Sequence, residues 1–113
     1  MVLTEARARV AALGWNAEGQ PREEVATCNL CGGRTFVTVT HEDRYGYPFP
    51  AAACSRCGLV CLNPCPTAAA YDSFYRETYR PLVSAYHGRV IDAKSVEAEQ
   101  AVYAKAVEGL LAP

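Results

Sequence analysis

Two cysteine pairs, Cys28-Asn29-Leu30-Cys31 and Cys54-Ser55-Arg56-Cys57, lie 22 residues apart in a chain of 113. A Cys-x-x-Cys turn aims two thiolates at one point, so two such turns supply the four ligands of a tetrahedral metal site. Each pair is followed directly by a glycine, Gly32 or Gly58. Glycine lets the backbone turn sharply there and bring its N–H groups towards sulfur. One pair alone would be a weak signal. Two pairs with matching glycines point to Cys28, Cys31, Cys54 and Cys57 as ligands of a structural zinc ion. An all-sulfur tetrahedron also suits iron, as in rubredoxin-like electron carriers, so zinc is preferred and iron stays open.

A metal also answers a stability problem. The segment from Cys28 to Cys65 has 38 residues and few large aliphatic side chains, and modules below ~40 residues usually need a metal, disulfides or a partner to fold. Bound zinc contributes on the order of 10–16 kcal/mol in comparable peptides. Four thiolates fill the tetrahedron and leave no position for a reactive water, which argues against a catalytic metal. His41, Glu42, Asp43 and Arg44, between the two pairs, read as a solvated loop tip rather than acid–base machinery. Cys61, between Val60 and Leu62, reads as a small buried hydrophobe, and Cys65 as a turn residue.

Charge narrows the partners. The net charge is −1 and the isoelectric point is near 6.1, so no global field draws in nucleic acid or an anionic membrane. Glu5, Arg7 and Arg9 interrupt the N-terminus where a signal peptide needs an apolar run. No stretch approaches the ~20 apolar residues of a membrane span. The expected location is the cytoplasm, where reducing conditions favour metal over disulfides.

Patterning divides the chain into an N-terminal helix and linker (1–26), a zinc ribbon (27–66) and a helical extension (67–113). Leu3, Ala6, Val10 and Leu13 mark the first helix, with Gly14 as its stop. Residues 35–40 alternate as a strand does, 51–53 and 59–62 read as short strands, and the prolines of Asn63-Pro64-Cys65-Pro66 should break regular structure. Thr67 is the expected N-cap of a helix carrying a stripe of Tyr71, Phe74, Tyr75 and Tyr79, which Pro81 should end. That stripe should pack against the ribbon or against the last helix, expected over about 91–111. His87 falls in the linker between the two helices. The fold class expected is α+β: a small four-cysteine zinc-ribbon β module flanked by α-helices.

From Cys28 to about Tyr79 the sequence resembles the zinc-ribbon segment found at the N-terminus of many bacterial class I S-adenosylmethionine-dependent methyltransferases. The carrying residues are the two cysteine pairs, the run Cys57-Gly58-Leu59-Val60-Cys61-Leu62-Asn63-Pro64-Cys65-Pro66-Thr67, and Phe74, Tyr75 and Tyr79 in the pattern F-Y-x-x-x-Y. In that family a longer helix then leads into a Rossmann-like catalytic domain. The chain departs from the pattern at Cys65, where arginine is usual between the prolines. It also reaches Pro113 where the first catalytic strand would be expected. The glycine-rich loop that holds the cofactor is absent, and Gly32-Gly33 belongs to a cysteine turn. The resemblance therefore implies an accessory module with structural zinc that does not catalyse or bind S-adenosylmethionine by itself. It would help bind substrate, or dock to a methyltransferase catalytic domain in cis or as a separate subunit. Two other readings stand beside it: a free-standing ribbon that binds nucleic acid or a protein partner, and the rubredoxin-like carrier.

Overall fold

A computed structural model describes residues 2–113. Its α+β architecture comprises α1 (Leu3–Ala11), β1 (Arg22–Glu23), β2 (Phe36–Thr40), β3 (Ala51–Cys54), β4 (Val60–Leu62), β5 (Cys65–Pro66), α2 (Ala68–Ser73), a π-helical turn (Phe74–Thr78), α3 (Tyr79–His87) and α4 (Ala93–Leu111). Strands β2, β3 and β4 form an antiparallel meander in that order. Phe36 pairs with Cys54 and Val37 with Ala53, and a bulge between Thr38 and Thr40 lets Thr40 face Ala51. On the other edge of β3, Ala51 pairs with Leu62 and Ala53 with Val60.

The Asn63–Pro66 segment departs from the expected break. Cys65 and Pro66 form β5, antiparallel to β1, with Arg22 opposite Pro66 and Glu23 opposite Cys65. A proline is tolerated because this is an isolated two-stranded edge, where one missing donor costs little. Asn63 holds the same junction from its side chain: its carbonyl accepts from the Val25 N–H at 3.0 Å and its amide donates to the Val25 carbonyl at 3.2 Å.

Thr67 caps α2 as expected, its hydroxyl accepting from the Ala70 N–H at 3.2 Å. Pro81, however, does not end the helix. Proline interrupts a helix because it lacks a donor and its ring crowds the carbonyl four residues back. Here that carbonyl belongs to Glu77, inside the π-helical turn, where the widened ladder relieves the crowding. The helix therefore runs on to His87, and Gly88 closes it in the left-handed region at φ 67°. His87 is thus the last residue of α3, its ring 5.3 Å from that of Tyr86, rather than part of a linker.

The helical core lies between α1 and α3, where Val10 and Leu82 are fully buried. Arg9 reinforces it from α1: its Nε donates to the Ala85 carbonyl at 2.7 Å and its Nη2 to the Tyr86 carbonyl at 2.8 Å. Both carbonyls lie in the last turn of α3, where a cation complements the helix dipole. The aromatic stripe packs towards Trp15, whose ring lies 5.2 Å from Phe74, and not onto the last helix. Helix α4 begins with a capping box between Asp92 and Ser95 and buries none of its residues. It projects from the body, which accounts for a radius of gyration of 17.8 Å against about 13 Å for a compact chain of this length.

Candidate metal centre

The two cysteine turns are built alike. In the first, the Cys28 N–H donates to the Gly33 carbonyl at 2.8 Å and the Gly32 N–H to the Cys28 carbonyl at 2.9 Å. In the second, Cys54 N–H meets the Leu59 carbonyl at 2.8 Å and Gly58 N–H the Cys54 carbonyl at 2.8 Å. Both patterns join residue i to i+5 and i+4 to i, so each turn closes on its first cysteine. The closure needs a left-handed residue just after the second cysteine, and Gly32 (φ 75°) and Gly58 (φ 80°) provide it. Strand β3 delivers Cys54 directly, while the first turn precedes β2. The Phe36–Cys54 register brings the two turns together at one end of the sheet.

The four sulfur atoms all lie within 4.8 Å of one another. Cys28 Sγ stands 3.6 Å from Cys57 Sγ, and Cys31 Sγ 3.6 Å from Cys54 Sγ. Ligands at about 2.3 Å in a zinc tetrahedron stand about 3.8 Å apart, so the cluster fits one ion. The spacing is far beyond a disulfide bond of about 2.05 Å, and all six cysteines are free thiols. Cys28 and Cys54 are buried, Cys31 is half-buried and Cys57 lies on the exposed side.

Backbone donors prepare the sulfurs for a cation. The Cys57 and Arg56 N–H groups bring the Cys54 thiol down to about 6. The Cys31 and Leu30 N–H groups lower that of Cys28 in the same way. At Cys57 the Leu59 N–H acts downward too, but burial and the three neighbouring thiols together push it up to about 12. Four thiolates cannot share so small a volume without a positive ion between them. A metal resolves that conflict, because coordination keeps thiols deprotonated.

Gly33 supplies a feature the spacing alone did not single out. Its N–H donates to Cys31 Sγ at 3.4 Å, and a Cβ at this position would meet Cys54 Sγ at 3.0 Å and Cys31 Sγ at 3.3 Å. The second glycine of Cys31-Gly32-Gly33 is the available signal, since it exceeds what the turn requires. A Gly33→Val substitution is expected to weaken zinc binding at least about tenfold, by splaying the sulfurs in a packed site. A Gly32→Ala change has open space around it and is expected to cost only about 1 kcal/mol of backbone strain. Competition with a chromophoric chelator separates the two.

Cys61 and Cys65 take no part in the cluster, and both are half-buried. Burial, with Glu23 nearby, raises the Cys65 thiol above its usual range, which makes it a poor nucleophile. The His41–Arg44 loop is pinned to α1 rather than free: Arg7 pairs with Glu42 at 2.6 Å and donates to the carbonyls of Arg44 and Asp43, each at 3.2 Å. Among the described residues no helix is long and apolar enough to cross a membrane. Comparison with protein-family models, with curated proteins and with solved structures yields no match.

Proposed function

We propose that this zinc-binding module is an accessory part of an S-adenosylmethionine-dependent methyltransferase, and that it helps to bind substrate or to dock against the catalytic domain. The observation that carries the reading is the four-thiolate cluster itself. It has room for one ion with every coordination position filled, so its chemistry is architectural. Cys28, Cys31, Cys54 and Cys57 would hold the ion, and the ion would fix two turns and the sheet between them.

Helix α4 supports the docking part. Tyr103, Val107, Leu110 and Leu111 recur at helical spacing, and all are more than half exposed. A capped helix of 19 residues with no buried side chain gains little from this body, and most helical stability comes from packing an apolar face. A catalytic domain, in cis or as a second subunit, would supply that surface. The cofactor would bind there, since the glycines of this chain's Gly32-Gly33 pair serve the metal turn.

Native mass spectrometry of the protein purified from its own host tests the reading. The expected species carries one zinc and includes a methyltransferase domain, covalently or as a partner, and binds S-adenosylmethionine. Charged substitutions at Val107 and Leu110 should disturb that association while leaving the zinc in place. A zinc-loaded monomer of 12.2 kDa that ignores the cofactor would overturn it. Salt-dependent binding of DNA or RNA by that monomer would favour the free-standing ribbon instead.

A further inference from the structure

A second site lies away from the cysteines. Trp15, the loop between the cysteine turns and the aromatic helix enclose a cavity of about 180 Å³, comparable with the roughly 150 Å³ that holds a benzene molecule in an engineered core. Its wall is mainly aromatic. Trp15 and Tyr47 meet edge to face at 5.1 Å, as do Phe74 and Tyr75 at 5.2 Å, and Trp15 lies tilted against Phe74 at 5.2 Å. Tyr45 adds a ring 6.4 Å from Tyr47. The Tyr47 hydroxyl is buried and has no hydrogen-bond partner, a cost that a structural cluster of this kind would not ordinarily retain.

Asp43 is the one carboxylate among the described residues that line this cavity. Its Oδ1 accepts from the Tyr45 and Tyr47 N–H groups, each at 2.9 Å. Oδ2 accepts nothing among the described residues, and no arginine or lysine forms an ion pair with this carboxylate. The nearest candidate, Arg7, spends its charge on Glu42 at 2.6 Å and reaches only the Asp43 backbone carbonyl. Burial also raises the Asp43 carboxyl above its usual range, outweighing the loop N–H groups and the Arg7 charge that act the other way.

We propose that this cavity binds a small organic cation, an alkylated ammonium head group, held by the faces of Trp15, Tyr45, Phe74 and Tyr75 and neutralised by Asp43. Aromatic faces attract cations through their quadrupoles, most strongly when desolvated, and the unspent carboxylate fixes the sign of the charge. An anionic ligand would meet Asp43, and among the described residues no basic side chain lines the cavity to offset it. A neutral ring would fill the space but leave the carboxylate unmatched. The site requires no methyltransferase and is built from this chain alone.

Titration of the zinc-loaded chain with choline, by calorimetry or by Trp15 fluorescence, tests the assignment. The control ligand is 3,3-dimethylbutan-1-ol, which has the same shape without the charge. Choline should bind with a dissociation constant in the millimolar range or tighter, and the neutral isostere at least about tenfold more weakly. Asp43→Asn keeps an oxygen for the two loop N–H groups and should lower choline affinity about tenfold or more. Tyr75 is 60% exposed, so Tyr75→Leu spares the fold and provides a second reading: it should weaken choline and leave the isostere unchanged. Equal binding of the two ligands, an unaltered choline affinity in both variants, or no binding of choline at tens of millimolar would each overturn the proposal.

Discussion

Replacing Cys54 with serine is expected to cost the ribbon its fold, the largest effect of any single substitution in this chain. Cys54 is 2% exposed, ends β3, and closes the second turn through its own N–H and carbonyl. Its thiol is also the one that backbone donors hold lowest, at about 6. With three ligands left, the ion opens to water and much of the ~10–16 kcal/mol associated with structural zinc is forfeited. The sheet has little to replace it. Val37 and Val39 on β2 and Val60 on β4 are each more than half exposed, and β3 is three alanines and a cysteine. Amide chemical shifts of residues 27–66 should collapse to the unfolded range in Cys54→Ser, and in the parent chain after prolonged chelation. Cys61→Ser, outside the cluster, should keep its zinc and its spectrum.

Leu82→Ala is expected to produce the second-largest loss, and of a different kind. Among the described residues Leu82 and Val10 are the largest side chains that are completely buried, one on α3 and the other on α1, which pack together. Truncating a fully buried leucine costs about 2–5 kcal/mol through lost transfer energy and the cavity left behind. A domain of this size is stable by about 5–15 kcal/mol in total, so the loss is a large fraction of the whole. Thermal unfolding of the zinc-loaded protein should shift down by at least about 10 °C. Zinc affinity should stay within a few-fold of the parent, because none of the four sulfurs rests on α1 or α3. Metal and helical core thus stabilise separate halves, and the two substitutions pull them apart.

The cysteine cluster was legible because its signal is local. Ligand spacing and the glycines after Cys31 and Cys57 encode the turns directly, and the structure brings all four sulfurs together. Thr67 was legible for the same reason, since a cap depends on atoms three residues away. What escaped depends on partners distant in sequence. Pro81 reads as a stop until the π-helical turn before it is known. Arg9 looks like one charge among several, yet it caps a helix 76 residues further on. The strand at Cys65–Pro66 exists only because Arg22–Glu23 lies alongside. The aromatic stripe was visible, and it faces the ribbon as one of the two expected arrangements had it, since Tyr71, Phe74 and Tyr75 line a cavity with Tyr45, Tyr47 and Phe49. Trp15 was missed as a partner, because it sits in a stretch with no helical or strand period and nothing local placed it against Phe74.

X-ray absorption at the zinc edge, on protein loaded in its host, tests most directly whether these four thiolates hold one structural zinc. The expected result is one zinc per chain with four sulfur neighbours at about 2.3 Å. Nitrogen or oxygen in that shell, or a chain carrying no zinc, would contradict it.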